Sequence, residues 1–509
     1  MKKTILLFIT GLICHFAFTQ SYINYTLQSS IDRVQPMTGV VFWTNNSSDL
    51  NQLENDVQLE FSYLIFSDVV NDTEGEYDWS VVEQRLNSAS NRGHQCILRF
   101  RYCYPGQTYP SVPAYIRNRS DYTDQSASIE GSYTFIPDWS NATLQQFTLD
   151  FFEEFAKEYD NDPRLAFVQV GFGSYAEYHL YAGPLDLGRT FPTKNYQTQF
   201  LNHLGTHFKL TPWNVSIDAA DGSRSPFSSN QNLKNLQFGL FDDSFMHSNH
   251  SNSNNEYNRA SWLFFSEDRW KENVAGGEFS YYSNYDQRNV LNLPDGPHGR
   301  SFESFADQYH ITYIIGNDQL NYQPQSRIKS ASMAMGYKFE VTEFKSDGNE
   351  TIVTIENNGI APIYFDAFPK IDGTRSTLSL KGLLPGESRI FTIATGLTES
   401  SELTIDSDRL VNGQVIQYNA DLTGTILGNE EFSNAFMITY PNPIDNYVFV
   451  KAPDDELKTV SLHSLDGKKI ETDTIIEKKN EVIKIDFSNL ENGIYFLKTK
   501  SLTKKIYKK

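Results

Sequence analysis

The chain has 509 residues and a formal net charge of −20. It is too long for one hydrophobic core, and too acidic for nucleic acid or an anionic membrane as partner, since both demand basic surface. The charge is uneven: Phe436 to Lys509 holds 13 Lys against 11 Asp and Glu, leaving 30 basic and 52 acidic residues upstream.

In chain order, Met1 to Gln20 places Lys2 and Lys3 before the apolar run Ile5 to Phe18 and a small polar exit, the pattern of a secretory leader. No later run reaches the eighteen apolar residues of a membrane span, so no transmembrane segment is expected in the mature chain. Cys14 leaves with the leader. If the stretch from Cys96 to Cys103 is one strand, the two stand roughly 23 Å apart at about 3.3 Å per residue, beyond disulfide reach. No cysteine framework or zinc motif is present.

From residue 31 to 336, short apolar runs alternate with helix-like segments, the sign of βα units. Strands are expected at Val40 to Thr44, Leu59 to Asp68, Cys96 to Tyr102, Leu165 to Gly171, Asn214 to Ala219, Gln237 to Asp242, Val274 to Phe279 and Ile311 to Ile315. Eight such units predict an α/β fold, a (β/α)8 TIM barrel. Helices are expected over Trp79 to Ser90 and Asn141 to Tyr159, the second capped by Asn141. Polar insertions after the third and sixth strands, Tyr104 to Pro137 and Ser244 to Ser261, should build a cleft at the C-terminal strand ends. Residues 337–422 alternate strands with turns and predict a β-sandwich packed on the barrel. A linker at 423–435 precedes a third module, 436–509.

Glu177 and Glu278 close the fourth and seventh of the eight runs, so both belong on the face where a barrel carries its chemistry. Two carboxylates facing one bond are what glycosidic cleavage requires, one delivering a proton and one attacking. Tyr175, Tyr178 and His179 around Glu177 should raise its proton affinity and suit it to acid/base work. Glu278 follows Gly276 and Gly277, whose missing side chains would let a sugar ring approach, and is the expected nucleophile.

Further candidate binding residues sit at predicted strand ends. Trp43, Tyr102, Tyr104, Tyr178, Tyr281 and Tyr282 offer flat faces to a pyranose. Arg99 and Arg101 share one side of the third strand, one free for an acidic or sulfated sugar and the other paired internally. Asp242 and Asp243 could orient a hydroxyl or hold His247; two carboxylates are too few oxygens for calcium. His179, His298 and His310 lack zinc spacing; His179 and His298 are candidates to touch substrate instead, and no metal or cofactor is expected.

Tyr440-Pro-Asn-Pro, Leu465-Asp-Gly-Lys, Leu490-Glu-Asn-Gly-Ile-Tyr-Phe and the closing Lys504-Lys505-Ile-Tyr-Lys-Lys resemble the C-terminal sorting domain of the type IX secretion system. That resemblance implies a Bacteroidetes-type exporter as partner, and release outside the cell or tethering at its surface. Over about Val34 to Leu422 the chain is similar to clan A glycoside hydrolases, which place the acid/base after strand four and the nucleophile after strand seven. The segments carrying this are Gly75-Glu-Tyr-Asp-Trp79, Leu98-Arg99-Phe100-Arg101, Val168-Gln-Val-Gly-Phe-Gly through His179, Phe241-Asp-Asp, Gly276-Gly-Glu and Met335-Gly-Tyr-Lys-Phe. The last four look like a family of bacterial barrel-plus-sandwich proteins. The resemblance implies retaining hydrolysis of a complex polysaccharide or oligosaccharide, and the acidity and module type point to a marine one that can carry sulfate. Most clan members carry Asn directly before the acid/base, and this chain has Ala176. A bond to the sugar 2-hydroxyl would then come from elsewhere, with Gln169, Asn317 and Asp318 as candidates. The same departure motivates the alternative, a non-catalytic surface glycan-binding protein on a degenerate barrel.

Overall fold

The computed structural model describes residues 22–71, 73–109, 111–250, 258–398, 400–424, 437–470, 475–479 and 482–509. The expected leader and residues 425–435 of the expected linker lie outside these. The chain forms two compact units, 1–425 and 426–509.

In the first unit, eight strands close a parallel barrel: β1 (Gly39–Trp43), β2 (Leu59–Ile65), β3 (Gln95–Arg101), β4 (Leu165–Val170), β5 (Trp213–Ser216), β6 (Gly239–Phe245), β7 (Ala275–Phe279) and β8 (Tyr313–Ile315). They run in chain order, and pairing of Ile315 with Val41 completes the ring. Such strands are covered on both faces, which explains their continuous burial, as in Leu165–Val170. The expected fold class therefore holds, with shifted ends. The second and fifth expected strands stop early in 3-10 turns at Phe66–Asp68 and Ile217–Ala220. The sixth runs on to Phe245 through a register shift against β7, so Asp242 and Asp243 lie inside it rather than at its end.

The helix Ala142–Tyr159 follows the aromatic spacing, and its Asn141 side chain accepts from the Leu144 N–H at 2.9 Å. Phe151 packs edge-on against Phe100 of β3, ring centres 4.8 Å apart. Burial of each such ring stabilises by about 1.5–3 kcal/mol. The insertion after β3 contains a hairpin, Gln125–Ile129 with Ser132–Ile136. Glu130 and Gly131 form its two-residue turn with φ of 49° and 79°, the doubly left-handed turn that matches strand twist.

Strands Ser388–Ile393, Thr351–Asn357, Phe339–Ser346, Tyr418–Leu422 and Leu27–Ser29 make one sheet of a sandwich. Thr374–Arg375, Phe368–Ile371 and Leu403–Asp406 make the other. Residues 23–29, given no element by the sequence reading, complete the first sheet: Leu27–Ser29 pairs with Tyr418–Leu422, and Ile23–Asn24 pairs with Phe339–Ser346. The sandwich core is continuous with the barrel's lower interior, where Phe61, Phe167 and Tyr313 share one apolar cluster with Phe339, Val353 and Phe391. Arg409 fastens the contact by donating to the Leu165 carbonyl at the entry of β4 (2.7 Å) and to Thr211 Oγ1 (3.0 Å). The N-terminal end of the barrel is thus closed, and the opposite end carries the open face.

The second unit has two four-stranded antiparallel sheets. One contains Ile438–Tyr440, Tyr447–Lys451, Ile475–Lys479 and Val482–Asp486. The other contains Ser461–Ser464, Lys469–Ile470, Gly493–Lys498 and Thr503–Lys508. Val448, Val450, Ile485 and Leu497 are among its core residues. Among the described residues no helix is long and apolar enough to cross a membrane.

Candidate active site

After β4 the chain folds back on itself within a few residues. The amides of Phe172 and Gly173 both donate to the Glu177 carbonyl, and Ser174 donates to the carbonyl of His179. A Cβ on Gly171 would meet the Ala176 carbonyl at 2.1 Å, and one on Gly173 the His179 carbonyl at 2.0 Å, so only glycine fits at either position. Tyr175 and Ala176 take left-handed backbone, φ 61° and 57°, a cost borne just before Glu177. Tyr175 N–H donates to the Cys103 carbonyl, which ties this loop to the exit of β3.

The loop delivers Glu177, 3% exposed, into a charged cluster. Arg99 Nη1 donates to Glu177 Oε1 at 2.8 Å. His179 Nε2 lies 2.7 Å from Glu177 Oε2 and 3.4 Å from Asp243 Oδ2. Burial, and then the Asp243 carboxylate, raise Glu177 well above the usual carboxyl range, against the pull of His179 and Arg99. Burial opposes charge on His179, but hydrogen bonds to Asp243 and Glu177 outweigh it and push the imidazole up to about 10. Asp218, beyond β5, is pushed up to about 7 by burial and by Asp243. Two ligands on a tetrahedral zinc stand about 3.3 Å apart when metal–ligand bonds are about 2.0–2.1 Å. The 2.7 Å separation of Nε2 and Oε2 is a hydrogen-bond length, so a proton bridges Glu177 and His179.

Glu278, in β7, is 7% exposed and faces the same cavity of about 800 Å³. Burial raises its pKa to about 7, with Arg99 opposing and Asp243 and Asp318 adding to the rise. Trp43, Tyr63, Tyr104, Tyr281 and Tyr282 wall the cavity, and Glu130 reaches it from the hairpin tip, where Tyr175 donates to Glu130 Oε2 at 3.0 Å. The glycines before Glu278 serve another purpose than the one expected. A Cβ on Gly276 would fall 2.3 Å from the Tyr313 ring, and one on Gly277 2.6 Å from the Asp242 carbonyl. Their space is filled by the barrel itself rather than left for a sugar.

Of the other expected site residues, Trp43, His179, Asp243 and Tyr281 line the cavity. Arg99 lies beneath it, fully buried, with Nε donating to Gln169 Oε1 at 2.7 Å; Gln169 in turn donates to the Tyr313 hydroxyl at 2.7 Å. Arg101 donates to Gln107 and lies over the Tyr104 ring at 4.5 Å. Tyr102 turns outward, bonded to Thr148 of the helix Ala142–Tyr159 at 2.8 Å and stacked on Phe66 at 4.0 Å. The reason is strand alternation: with Arg99 and Arg101 inward, Phe100 and Tyr102 must face the helices. Asp242 alternates with Asp243 in the same way and accepts from the Ser244 N–H and Trp262 Nε1. Tyr178, between Glu177 and His179, is buried against Phe172 and Phe191. Asn317 accepts from the Trp43 N–H at 3.0 Å and donates to Asp318 at 3.2 Å, and His298 bonds the His247 carbonyl at 2.9 Å. None of these lines the cavity. Tyr63, Glu130, Tyr181 and His250 do, and were not among the expected site residues. Cys96 and Cys103 are both buried free thiols.

Residues 439–509 match the model of the secretion system C-terminal sorting domain. The chain leaves the cell by type IX secretion. Its destination is the cell surface or the extracellular space. No curated protein matches the chain. Solved structures similar to it include the catalytic domain of β-amylase from Paenibacillus polymyxa, at 10% identity and TM-score 0.39, with 59% of this chain and 99% of that chain covered. Endo-glycoceramidase II from Rhodococcus sp. matches at 11% identity and TM-score 0.38, with 73% and 100% covered. A trimodular GH5_4 subfamily endoglucanase matches at 10% identity and TM-score 0.35, with 93% and 96% covered. At those scores none of the three bears on what this chain does.

Proposed function

We propose that the barrel is a retaining glycoside hydrolase working outside the cell on an oligosaccharide or polysaccharide. The observation that carries the reading is the pair Glu177 and Glu278: two buried carboxyl groups of raised proton affinity, from β4's loop and β7, on one aromatic-walled cavity. Glu177, its proton affinity raised by burial and by Asp243, delivers a proton to the leaving oxygen while the Glu278 carboxylate attacks the anomeric carbon and the glycosidic bond breaks. Water then attacks the glycosyl ester, Glu177 takes its proton, and Glu278 is released. Trp43, Tyr104 and Tyr281 supply flat apolar faces for sugar rings.

The cavity wall carries Glu130, Glu177, Asp243 and Glu278, with no Lys or Arg among the described lining residues. Arg99 is committed to Glu177 and Gln169. This supports an uncharged glycan over a sulfated one, because a sulfate would be desolvated against carboxylates. Wild type, Glu177→Gln and Glu278→Gln should be screened on neutral and sulfated polysaccharides, with the first-formed anomer followed by NMR. The expected result is product of retained configuration from neutral substrates, about 10²–10⁴-fold slower for Glu177→Gln and absent for Glu278→Gln. Inverted product would overturn the mechanism.

A second reading, a surface glycan-binding protein without activity, is favoured by one feature. Both Glu177 oxygens are already engaged, by Arg99 and His179, and Ala176 offers no side-chain amide. Equal glycan binding with no product in all three proteins would establish it.

A further inference from the structure

On the outside of the barrel, the helices Ala142–Tyr159 and Lys194–His207 pack side by side. His203 and His207, four residues apart, present their rings on one face of the second helix with centroids 4.3 Å apart. Glu153 of the first helix faces both. Its Oε2 lies 3.6 Å from His207 Nε2 and 4.0 Å from His203 Nε2. These separations are too long for hydrogen bonds and close to the edge of a tetrahedron of ligands around a divalent ion, about 3.3 Å. The proton-bridged pair in the barrel mouth, at 2.7 Å, shows the opposite geometry.

An ion-pair account of the three residues is weak. Lys157, which bonds Glu153, also reaches Glu154 and can be released to it. His203 Nε2 donates to the Leu149 carbonyl at 2.9 Å. Ligation there would exchange that bond, while the carbonyl keeps the N–H of its own helix. All three side chains are 20–32% exposed, open to an ion from solution.

We propose that Glu153, His203 and His207 form a structural site for a divalent transition metal of the zinc class, with water as fourth ligand, that clamps the two helices together. Two imidazoles and one carboxylate are a donor set zinc accepts, and two His at i and i+4 on one helix face provide the bite. The site is independent of the cavity and of the function proposed for it.

The test uses the full chain, stripped with EDTA and titrated with ZnCl2 at pH 7.5 by calorimetry, and with cobalt(II) by visible absorption. The expected result is one equivalent bound, a tetrahedral cobalt spectrum, and a rise in Tm of a few degrees that EDTA reverses. His207→Gln and Glu153→Gln, on a solvated helix surface, should each weaken zinc binding at least about tenfold with the circular dichroism spectrum intact, whereas Glu177→Gln should bind as wild type does. Absence of stoichiometric binding overturns the proposal. So does binding unchanged in both helix variants, or binding lost in Glu177→Gln, which would move the ion to the barrel mouth.

Discussion

Arg99→Met is the most informative single change. The guanidinium is fully buried and donates to Gln169 Oε1, the Tyr63 hydroxyl, the Tyr175 carbonyl and Glu177 Oε1, at 2.7 to 3.2 Å, while lying 4.5 Å from the Phe241 ring centre. Methionine keeps most of the apolar stem but none of the donors. The Gln169, Tyr175 and Glu177 acceptors it strands cost about 1–3 kcal/mol each. For a body larger than 250 residues each kcal/mol moves Tm by about 2 °C or less, so the barrel transition should fall by about 5–10 °C in calorimetry of the full chain. Arg99 and Glu177 are in direct contact, so the double variant with Glu177→Gln should fall short of the additive loss by about 0.5–3 kcal/mol. A fall under about 2 °C, or strictly additive losses, would refute the view that Arg99 holds Glu177.

The rate profile should also show the pair. Glu278 must be ionised to attack, so kcat/KM should climb as pH rises through about 7. A limb centred near the ordinary carboxyl value would contradict this. The same group sets a stability trend: its folded pKa exceeds the unfolded one, so its contribution is full below the ordinary carboxyl value of 4.5 and is lost as pH rises through about 7. Gly276→Ala should lower Tm and activity together, because its methyl enters the Tyr313 ring, which holds Gln169 and Asn214; an unperturbed Tm would show that the ring yields.

The barrel was legible because parallel strands buried on both faces read as uninterrupted apolar runs, and eight of them separated by helical spacing admit few alternatives. Glu177 and Glu278 followed from that ordinal position. The outward turn of Tyr102 and Asp242 was available in the same strands, since the alternation that put Arg99 and Arg101 together excludes Tyr102 from their side. Glu130 and Tyr181 were not legible: they arrive on insertions whose path is set by a hairpin turn and by backbone bonds such as Glu130 N–H to the Tyr181 carbonyl. The purpose of Gly276 and Gly277 depended on what stood opposite them, which spacing along one chain does not record.

The pairing of Leu27–Ser29 with Tyr418–Leu422 places a strand from the start of the larger unit beside the one at its end. The sheet cannot be finished until residue 422 has joined it, so an exported chain reaches its complete form only when nearly the whole unit is free to fold. Once closed, it is indifferent to trimming: among the described residues the strands of that sheet lie between residues 23 and 422, so cuts before residue 22 or after residue 424 leave them in place. A machinery that handles the chain by its C-terminal module can therefore detach it and leave behind a body whose two ends fasten each other.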